Sequence, residues 1–105
     1  MLRGEIWVQD DRDAYILVAS DHLSEARPPI TWGIPLTAEA QPKKYTEPFV
    51  IALSPTQTGL TVATWALIAR GITPLRQADL NTKLGKASDK ALARIDNAIR
   101  ILYEL

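Results

Sequence analysis

The sequence predicts a small, mostly β domain that ends in one amphipathic α-helix. Short runs of aliphatic, aromatic and β-branched residues alternate with segments rich in Gly, Pro, Asp and Ser, which is typical of strands joined by turns. Apolar residues recur at helical spacing most clearly in the last segment of the chain. With 105 residues, 47% of them hydrophobic, the chain suffices for one modest core. A single domain over residues 1–105 is therefore expected.

The first half of the chain predicts four strands. Residues 5–8 and 14–19 are strand-like, and the short charged turn between them predicts a hairpin. Residues 30–37 are also extended, but Gly33 and Pro35 interrupt them, which favours a bulged or edge strand. After a long loop, residues 48–53 predict the next strand.

The second half predicts shorter elements before the final helix. Residues 60–69 favour a buried strand, residues 75–80 a short helical turn, and residues 83–86 a last short strand. Ser88 is a suitable N-cap for the helix that follows. The apolar stripe of that helix comprises Leu92, Ile95, Ile99 and Leu102.

Composition excludes several classes of site. The chain has no cysteine and a single histidine, His22, so neither a disulfide nor a histidine-based metal site is expected, and no cofactor is predicted. No apolar stretch reaches the roughly 18 residues that span a bilayer, and no secretory leader is evident, so a cytoplasmic protein without membrane contact is expected. Acidic and basic residues number 12 each, so no overall basic field indicates a nucleic-acid binder.

The segment Arg3-Gly4-Glu5-Ile6-Trp7 resembles the opening strand of the MazF/PemK family of bacterial toxins. The order of the predicted elements matches that family from this first strand to the last helix. The resemblance implies an SH3-like small barrel of the MazF/PemK/CcdB type, assembled as a homodimer. It also implies a toxin of a type II toxin–antitoxin system, neutralised by a cognate antitoxin with a disordered acidic segment.

The resemblance further implies metal-independent endoribonuclease activity on single-stranded RNA, and it points to Arg12 and Thr37 as catalytic residues. Arg12 is the one base in the loop before the second strand, where the family has an Arg-Pro pair. Here that loop is short and contains three acids, Asp10, Asp11 and Asp13. The only Arg-Pro pair, Arg27-Pro28, follows the second strand instead, so Arg27 is the alternative.

Five residues are candidates for RNA binding: Lys43, Lys44, Tyr45, Trp32 and Arg27. Bases beside aromatic rings can bind phosphate and stack on a nucleobase. A solvated loop tip explains Lys43, Lys44 and Tyr45 equally simply, and a packing role would explain Trp32. Two other functions remain open, namely a CcdB-like toxin that binds a protein target such as gyrase, and an interaction domain that has lost its catalytic site.

Overall fold

The structure is a computed structural model that describes residues 2–9, 14–21 and 29–104. Its elements, in chain order, are the strands β1 (Glu5–Gln9), β2 (Ala14–Val18), β3 (Ile30–Thr37) and β4 (Ile51–Leu53), the short helix α1 (Pro55–Thr58), the strands β5 (Thr64–Ala66), β6 (Thr73–Arg76) and β7 (Leu80–Lys86), and the helix α2 (Asp89–Tyr103). Single 3-10 turns at Ile68–Arg70 and Gln77–Asp79 precede β6 and β7. The prediction of a mostly β fold with a terminal helix is confirmed.

All strand pairs are antiparallel, and the sheet order is β4-β5-β3-β2-β1-β7, with β6 paired to the other end of β3. The predicted hairpin is confirmed, with Ile6 opposite Leu17. Within the described ranges β4 and β7 do not pair, and α1 lies between these two ends. Ser88 N donates to Gln57 O at 2.7 Å, and a Cβ on Gly85 would lie 2.3 Å from Thr58 O. Glycine at position 85 therefore allows α1 to approach β7.

The core lies between the sheet and α2. Ile6, Leu17, Ile34, Ile51 and Leu53 are its largest fully buried aliphatic side chains on the strands. From α2 the fully buried residues are Ala91, Ile95 and Ala98, and the predicted stripe residues Leu92, Ile99 and Leu102 pack beside them, half-buried. The predicted cap is confirmed, since Ser88 Oγ accepts from Ala91 N at 3.2 Å.

The prediction that residues 30–37 form a bulged or edge strand is wrong. β3 is continuous and central, with β2 on one side and both β5 and β6 on the other. Pro35 is tolerated because it lies between the stretches paired to β5 and β6, and only its carbonyl is used on that side, accepting from Leu67 N at 3.0 Å. Gly33 is needed for packing, since a Cβ there would lie 2.4 Å from Ile16 Cγ2.

The strands predicted at residues 48–53 and 60–69 are shorter than expected. Phe49 N and Val50 N both donate to Thr46 O, so the chain turns there and β4 begins only at Ile51. Residues 61–63 are exposed, and the chain enters a 3-10 turn at Ile68, which leaves β5 three residues long. The last predicted strand is confirmed, but it begins at Leu80 rather than at residue 83.

The buried carboxylate of Glu5 links β1 to β7 and also contacts the residues before β1. Glu5 Oε2 lies 2.9 Å from Lys83 Nζ, and Glu5 Oε1 accepts from Leu2 N at 2.8 Å and from Trp7 Nε1 at 3.3 Å. The hydrogen bond from Lys83, followed by that from Leu2, lowers the pKa of Glu5 from 4.5 to about 2. Because the folded pKa is lowered, this stabilisation is present above about pH 4.5 and is lost as the pH falls toward 2.

No helix within residues 2–9, 14–21 and 29–104 is long and apolar enough to cross a membrane.

Candidate functional site

The last residue of β3, Thr37, lies in a cleft of about 370 Å³. We call it the Thr37 cleft, and its described lining consists of Ala14, Tyr15, Leu36, Thr37, Ala38 and Glu39. Thr37 Oγ1 accepts a hydrogen bond from Glu39 N at 3.1 Å, which orients the hydroxyl. A hydroxyl that accepts one hydrogen bond still has its own proton to donate. Thr37 can therefore donate to an oxygen atom placed in this cleft.

Ala14, the first residue after the segment that contains Arg12, lines the Thr37 cleft. Residues 10–13 lie outside the described residues, but Gln9 and Ala14 on either side of them are paired across the β1–β2 hairpin. Tyr15, the next residue, is opposite Leu36 in the sheet. The register of β2 against β3 thus brings the start of β2, two positions after Arg12 in the sequence, beside Thr37.

A second cleft, of about 510 Å³, lies between the loop after β3 and the 3-10 turn after β5. We call it the aromatic cleft. Its apolar lining consists of Tyr45, Phe49, Val50, Leu67 and Ala69, and its polar lining of Gln41, Lys44 and Arg70. The rings of Tyr45 and Phe49 are 47% and 50% exposed, so about half of each remains available for contact.

The end of the loop of residues 38–50 is tied to the 3-10 turn after β5 by one backbone hydrogen bond and to α2 by one ion pair. Two further hydrogen bonds lie within the loop and between α2 and β4. Gln41 Nε2 donates to Glu39 O at 3.0 Å, and Ala69 N donates to Phe49 O at 3.0 Å. Arg94 Nε donates to Glu47 Oε1 at 2.9 Å, and its Nη1 donates to Ala52 O at 3.0 Å. The side chains of the aromatic cleft are therefore presented by a fastened loop.

The two clefts differ in charge. The aromatic cleft is bordered by two cations, Lys44 and Arg70, and none of its described lining residues carries a carboxylate. The described lining of the Thr37 cleft contains one carboxylate, Glu39, and no base. Lys44 Nζ lies 5.2 Å from the centroid of the Tyr45 ring, within the range of a cation–π contact. An anion would thus be attracted more strongly to the aromatic cleft.

A family model described as PemK-like, MazF-like toxin of type II toxin–antitoxin system matches residues 3–103. The chain belongs to this family. No curated protein has a significant sequence match to it. The match extends from Arg3 in the opening segment to the end of α2, so both clefts lie within the PemK-like, MazF-like domain.

Three solved structures with the same fold come from mycobacteria. An endoribonuclease in complex with its cognate antitoxin, from a mycobacterial species, aligns with a TM-score of 0.73 and 22% identity over 100% of this chain and 96% of the other. A second mycobacterial endoribonuclease gives a TM-score of 0.73 and 21% identity over 100% and 92%. The Mycobacterium tuberculosis toxin MazF-mt6 gives 0.72 and 15% over 98% of each chain. At these identities the likeness establishes the MazF-type fold.

The candidate residues differ in where they lie on this MazF-type fold. Thr37 lines one cleft, while Lys44 and Tyr45 line the other. Lys43 is exposed beside the aromatic cleft but does not line it. Trp32 lies five residues before Thr37 on β3, about 16 Å along the strand, and lines neither cleft. The two arginine candidates, Arg12 and Arg27, lie outside the described residues, as does His22.

Sequence reasoning did not single out Phe49, Leu67 or Arg70. Phe49 falls within the predicted strand of residues 48–53 and Leu67 within that of residues 60–69, and strand patterning assigns such residues to the core. Their neighbours in the sequence indicate that Phe49 and Arg70 lie at turns: Phe49 follows Pro48, Arg70 precedes Gly71, and both Pro and Gly mark turns. Turns at these points leave both side chains exposed at the surface.

Proposed function

We propose that this toxin is a cytoplasmic, metal-independent endoribonuclease that cleaves single-stranded RNA as a homodimer. Membership of the PemK-like, MazF-like family over residues 3–103 is the observation that carries the proposal. The position of Thr37 supports it, because Thr37 lies in a cleft that is also lined by Ala14, two positions after Arg12 in the sequence. One of the structural neighbours is an endoribonuclease in complex with its cognate antitoxin, which supports a similar antitoxin partner here.

The proposed reaction is an intramolecular transesterification at one phosphodiester of the RNA. The ribose 2′ oxygen attacks the adjacent phosphorus, a new O2′–P bond forms, and the P–O5′ bond breaks. The 2′ hydroxyl loses its proton to a water or to a carboxylate such as Asp11 or Asp13, and the leaving 5′ oxygen receives a proton from that same group or from solvent water. The products are a 2′,3′-cyclic phosphate and a 5′ hydroxyl.

In this reaction Arg12 stabilises the negative charge that develops on the phosphorane. A guanidinium can donate two parallel hydrogen bonds to the non-bridging oxygens, and such charge-assisted bonds are stronger than neutral ones. Its high pKa makes it a poor base, so Arg12 is assigned no proton transfer. The Thr37 hydroxyl donates a further hydrogen bond to a non-bridging oxygen.

The cations at and beside the aromatic cleft also account for neutralisation by an antitoxin. An antitoxin with a disordered acidic segment would be ordered on binding, and its carboxylates would compete with RNA phosphates for the cations of the toxin. Lys43, Lys44 and Arg70 are exposed and available for that competition.

The direct test incubates the purified protein with a long unstructured RNA in excess EDTA. We expect cleavage to continue in EDTA and to leave termini that a 5′ kinase can label without prior phosphatase treatment. Cleavage that stops on chelation would contradict metal independence. An intact RNA would contradict the nuclease proposal and leave a toxin that binds a protein target as the alternative.

A further inference from the structure

We propose that the aromatic cleft binds one unstacked nucleotide of the RNA, beside the scissile phosphate, and reads its base. The inference rests on the proposed ribonuclease function for the identity of the ligand. It goes beyond that function by assigning a second site, built by residues that take no part in the cleavage chemistry. The residues that carry it are Tyr45, Phe49, Lys44 and Arg70.

The shape of the aromatic cleft suits a nucleobase. Proteins bind small molecules in cavities of about 300–1,000 Å³, and this cleft of about 510 Å³ is large enough for a base with its ribose. Tyr45 and Phe49 line it and are each about half exposed to solvent, and aromatic rings are the usual stacking partners of unstacked bases. Val50 and Leu67 supply an apolar floor that excludes water from the base.

The charges around the aromatic cleft suit the phosphates that flank the base. Lys44 and Arg70 border the cleft, and no carboxylate is among its described lining residues. No ion pair involving Lys44 or Arg70 is found within the described part of the chain, so both cations remain available to a ligand. Lys44 Nζ lies 5.2 Å from the centroid of the Tyr45 ring, so a cation is also close to a base that contacts this ring.

The position of the aromatic cleft fixes which nucleotide it can take. Leu67 in its floor donates its N–H to Pro35 O, and Pro35 is only two residues from Thr37, about 7 Å along β3. The loop joins the clefts as well, since Glu39 lines one, Gln41 lines the other, and the two are hydrogen bonded. A nucleotide in the aromatic cleft would therefore be a close neighbour of a phosphate held at Thr37.

A nucleotide fits this cleft better than an extended peptide does. Extended peptides bind by adding a strand to a sheet edge, where the backbone supplies hydrogen bonds. All described residues that line the aromatic cleft lie outside the strands, between β3 and β4 or after β5. None of these residues therefore presents a strand edge to the cleft, which favours recognition of a flat ring.

The test compares two uncleavable ligands of equal length and charge. One is a fluorescent 12-nucleotide 2′-O-methyl RNA, and the other is an abasic chain with the same number of phosphates. We expect Tyr45→Ala and Phe49→Ala each to weaken binding of the RNA by about 5- to 100-fold while binding of the abasic chain changes less than twofold. Phe49→Leu, which keeps the apolar bulk, should lose most of the same preference because it lacks the ring.

Lys44→Gln and Arg70→Gln should act on both ligands alike. Each removes one phosphate contact, so each should lower the slope of log affinity against log salt by about 0.7 without changing the preference for bases. Ile101→Ala is the control, since Ile101 is 55% exposed, lies on α2 and lines neither cleft. It should bind both ligands as the unsubstituted protein does.

An unchanged preference for the base-bearing chain in Tyr45→Ala and Phe49→Ala would overturn the proposal. Variants that bind RNA normally but lose affinity for the antitoxin segment would also overturn it, since the cleft would then be a peptide site. Because the ligands cannot be cleaved, these results are independent of the EDTA test. A protein that cleaves nothing but loses base preference in these variants would support the cleft and contradict the nuclease.

Discussion

The Thr37 cleft and the aromatic cleft are lined by the two halves of one loop, but different elements position their side chains. Leu36 and Thr37 are on β3 and Tyr15 is on β2, so sheet register fixes the described part of the Thr37 cleft. The aromatic cleft is instead presented by loop and 3-10 residues, held through a few hydrogen bonds. A strand holds a side chain more precisely than a loop does.

This difference suits two separate tasks. Stabilising a transition state requires donors held within a fraction of an ångström, which β3 can provide for Thr37. Accepting a base requires an apolar surface that adapts to its ligand, which loops provide. Substitutions in β3 and at Arg12 should therefore alter the rate of RNA cleavage. Substitutions in residues 41–50 should alter the preference for particular RNA sequences.

The largest expected effect is that of Arg12→Ala. Removing the group that stabilises the phosphorane should lower the rate of RNA cleavage by about 100- to 1,000-fold, measured at saturating RNA. The affinity for uncleavable RNA should fall much less, because the contact strengthens in the transition state. Arg27→Ala is the comparison: as a candidate for RNA binding, Arg27 should affect affinity but not the rate at saturating RNA. The reverse result would transfer the catalytic role to Arg27.

Thr37→Val should have the next largest effect. It keeps the shape of the side chain but removes the hydroxyl, and with it about 1–1.5 kcal/mol of hydrogen bonding, so cleavage should slow about 5- to 15-fold. Thr37→Ser retains the hydroxyl and should remain close to the unsubstituted rate. If Thr37→Ser is as slow as Thr37→Val, the methyl group rather than the hydroxyl matters, and Thr37 has a packing role.

Arg94→Ala should affect the aromatic cleft and leave the Thr37 cleft intact. Arg94 binds Glu47 and Ala52 O, and so fastens the end of the loop that carries Phe49. Both partners of the ion pair are partly exposed, so the loss of folding stability should be about 0.5–1 kcal/mol, measured by urea unfolding. Preference among base-bearing ligands should fall about two- to fivefold, while the cleavage rate at saturating RNA stays the same.

Glu39→Gln should have the smallest effect and the opposite sign. Glu39 is an exposed carboxylate in the Thr37 cleft, where it repels RNA phosphates. Neutralising it should tighten RNA binding about twofold at low salt, and the gain should shrink as salt screens the charge. Weaker binding in Glu39→Gln would indicate that the carboxylate recognises the RNA rather than repelling it.

Sequence reasoning predicted the elements that have a strong local pattern. The β1–β2 hairpin follows from two strand-like runs on either side of a short charged segment, and α2 follows from the Ser88 cap and the helical spacing of apolar residues; the structure has both elements. The sequence around β3 does not indicate that this strand is central in the sheet. Pro35 lacks an N–H and so suggests an edge strand. In the structure the position of that missing N–H faces the break between β5 and β6, where no partner strand needs it.

The candidate site was predictable only in part, for a physical reason. Thr37 was indicated by the family resemblance, and Lys44 and Tyr45 by residue type; these three residues line the two clefts. The aromatic cleft also needs Leu67 and Arg70, which are more than 20 positions from Tyr45 and reach it only through the pairing of β5 with β3 and β4. Such tertiary proximity leaves no pattern in the local sequence.

The bridging of the sheet ends by α1 and Arg94 also bears on the protein's behaviour at high concentration. Unpaired strand edges invite other chains to join the sheet, which leads to aggregation. At the β4 end Arg94 Nη1 engages Ala52 O, and at the β7 end the backbone of Thr58 lies against Gly85. One position on the β4 edge and one on the β7 edge are thus already occupied, which disfavours the addition of a strand at these two ends of the sheet.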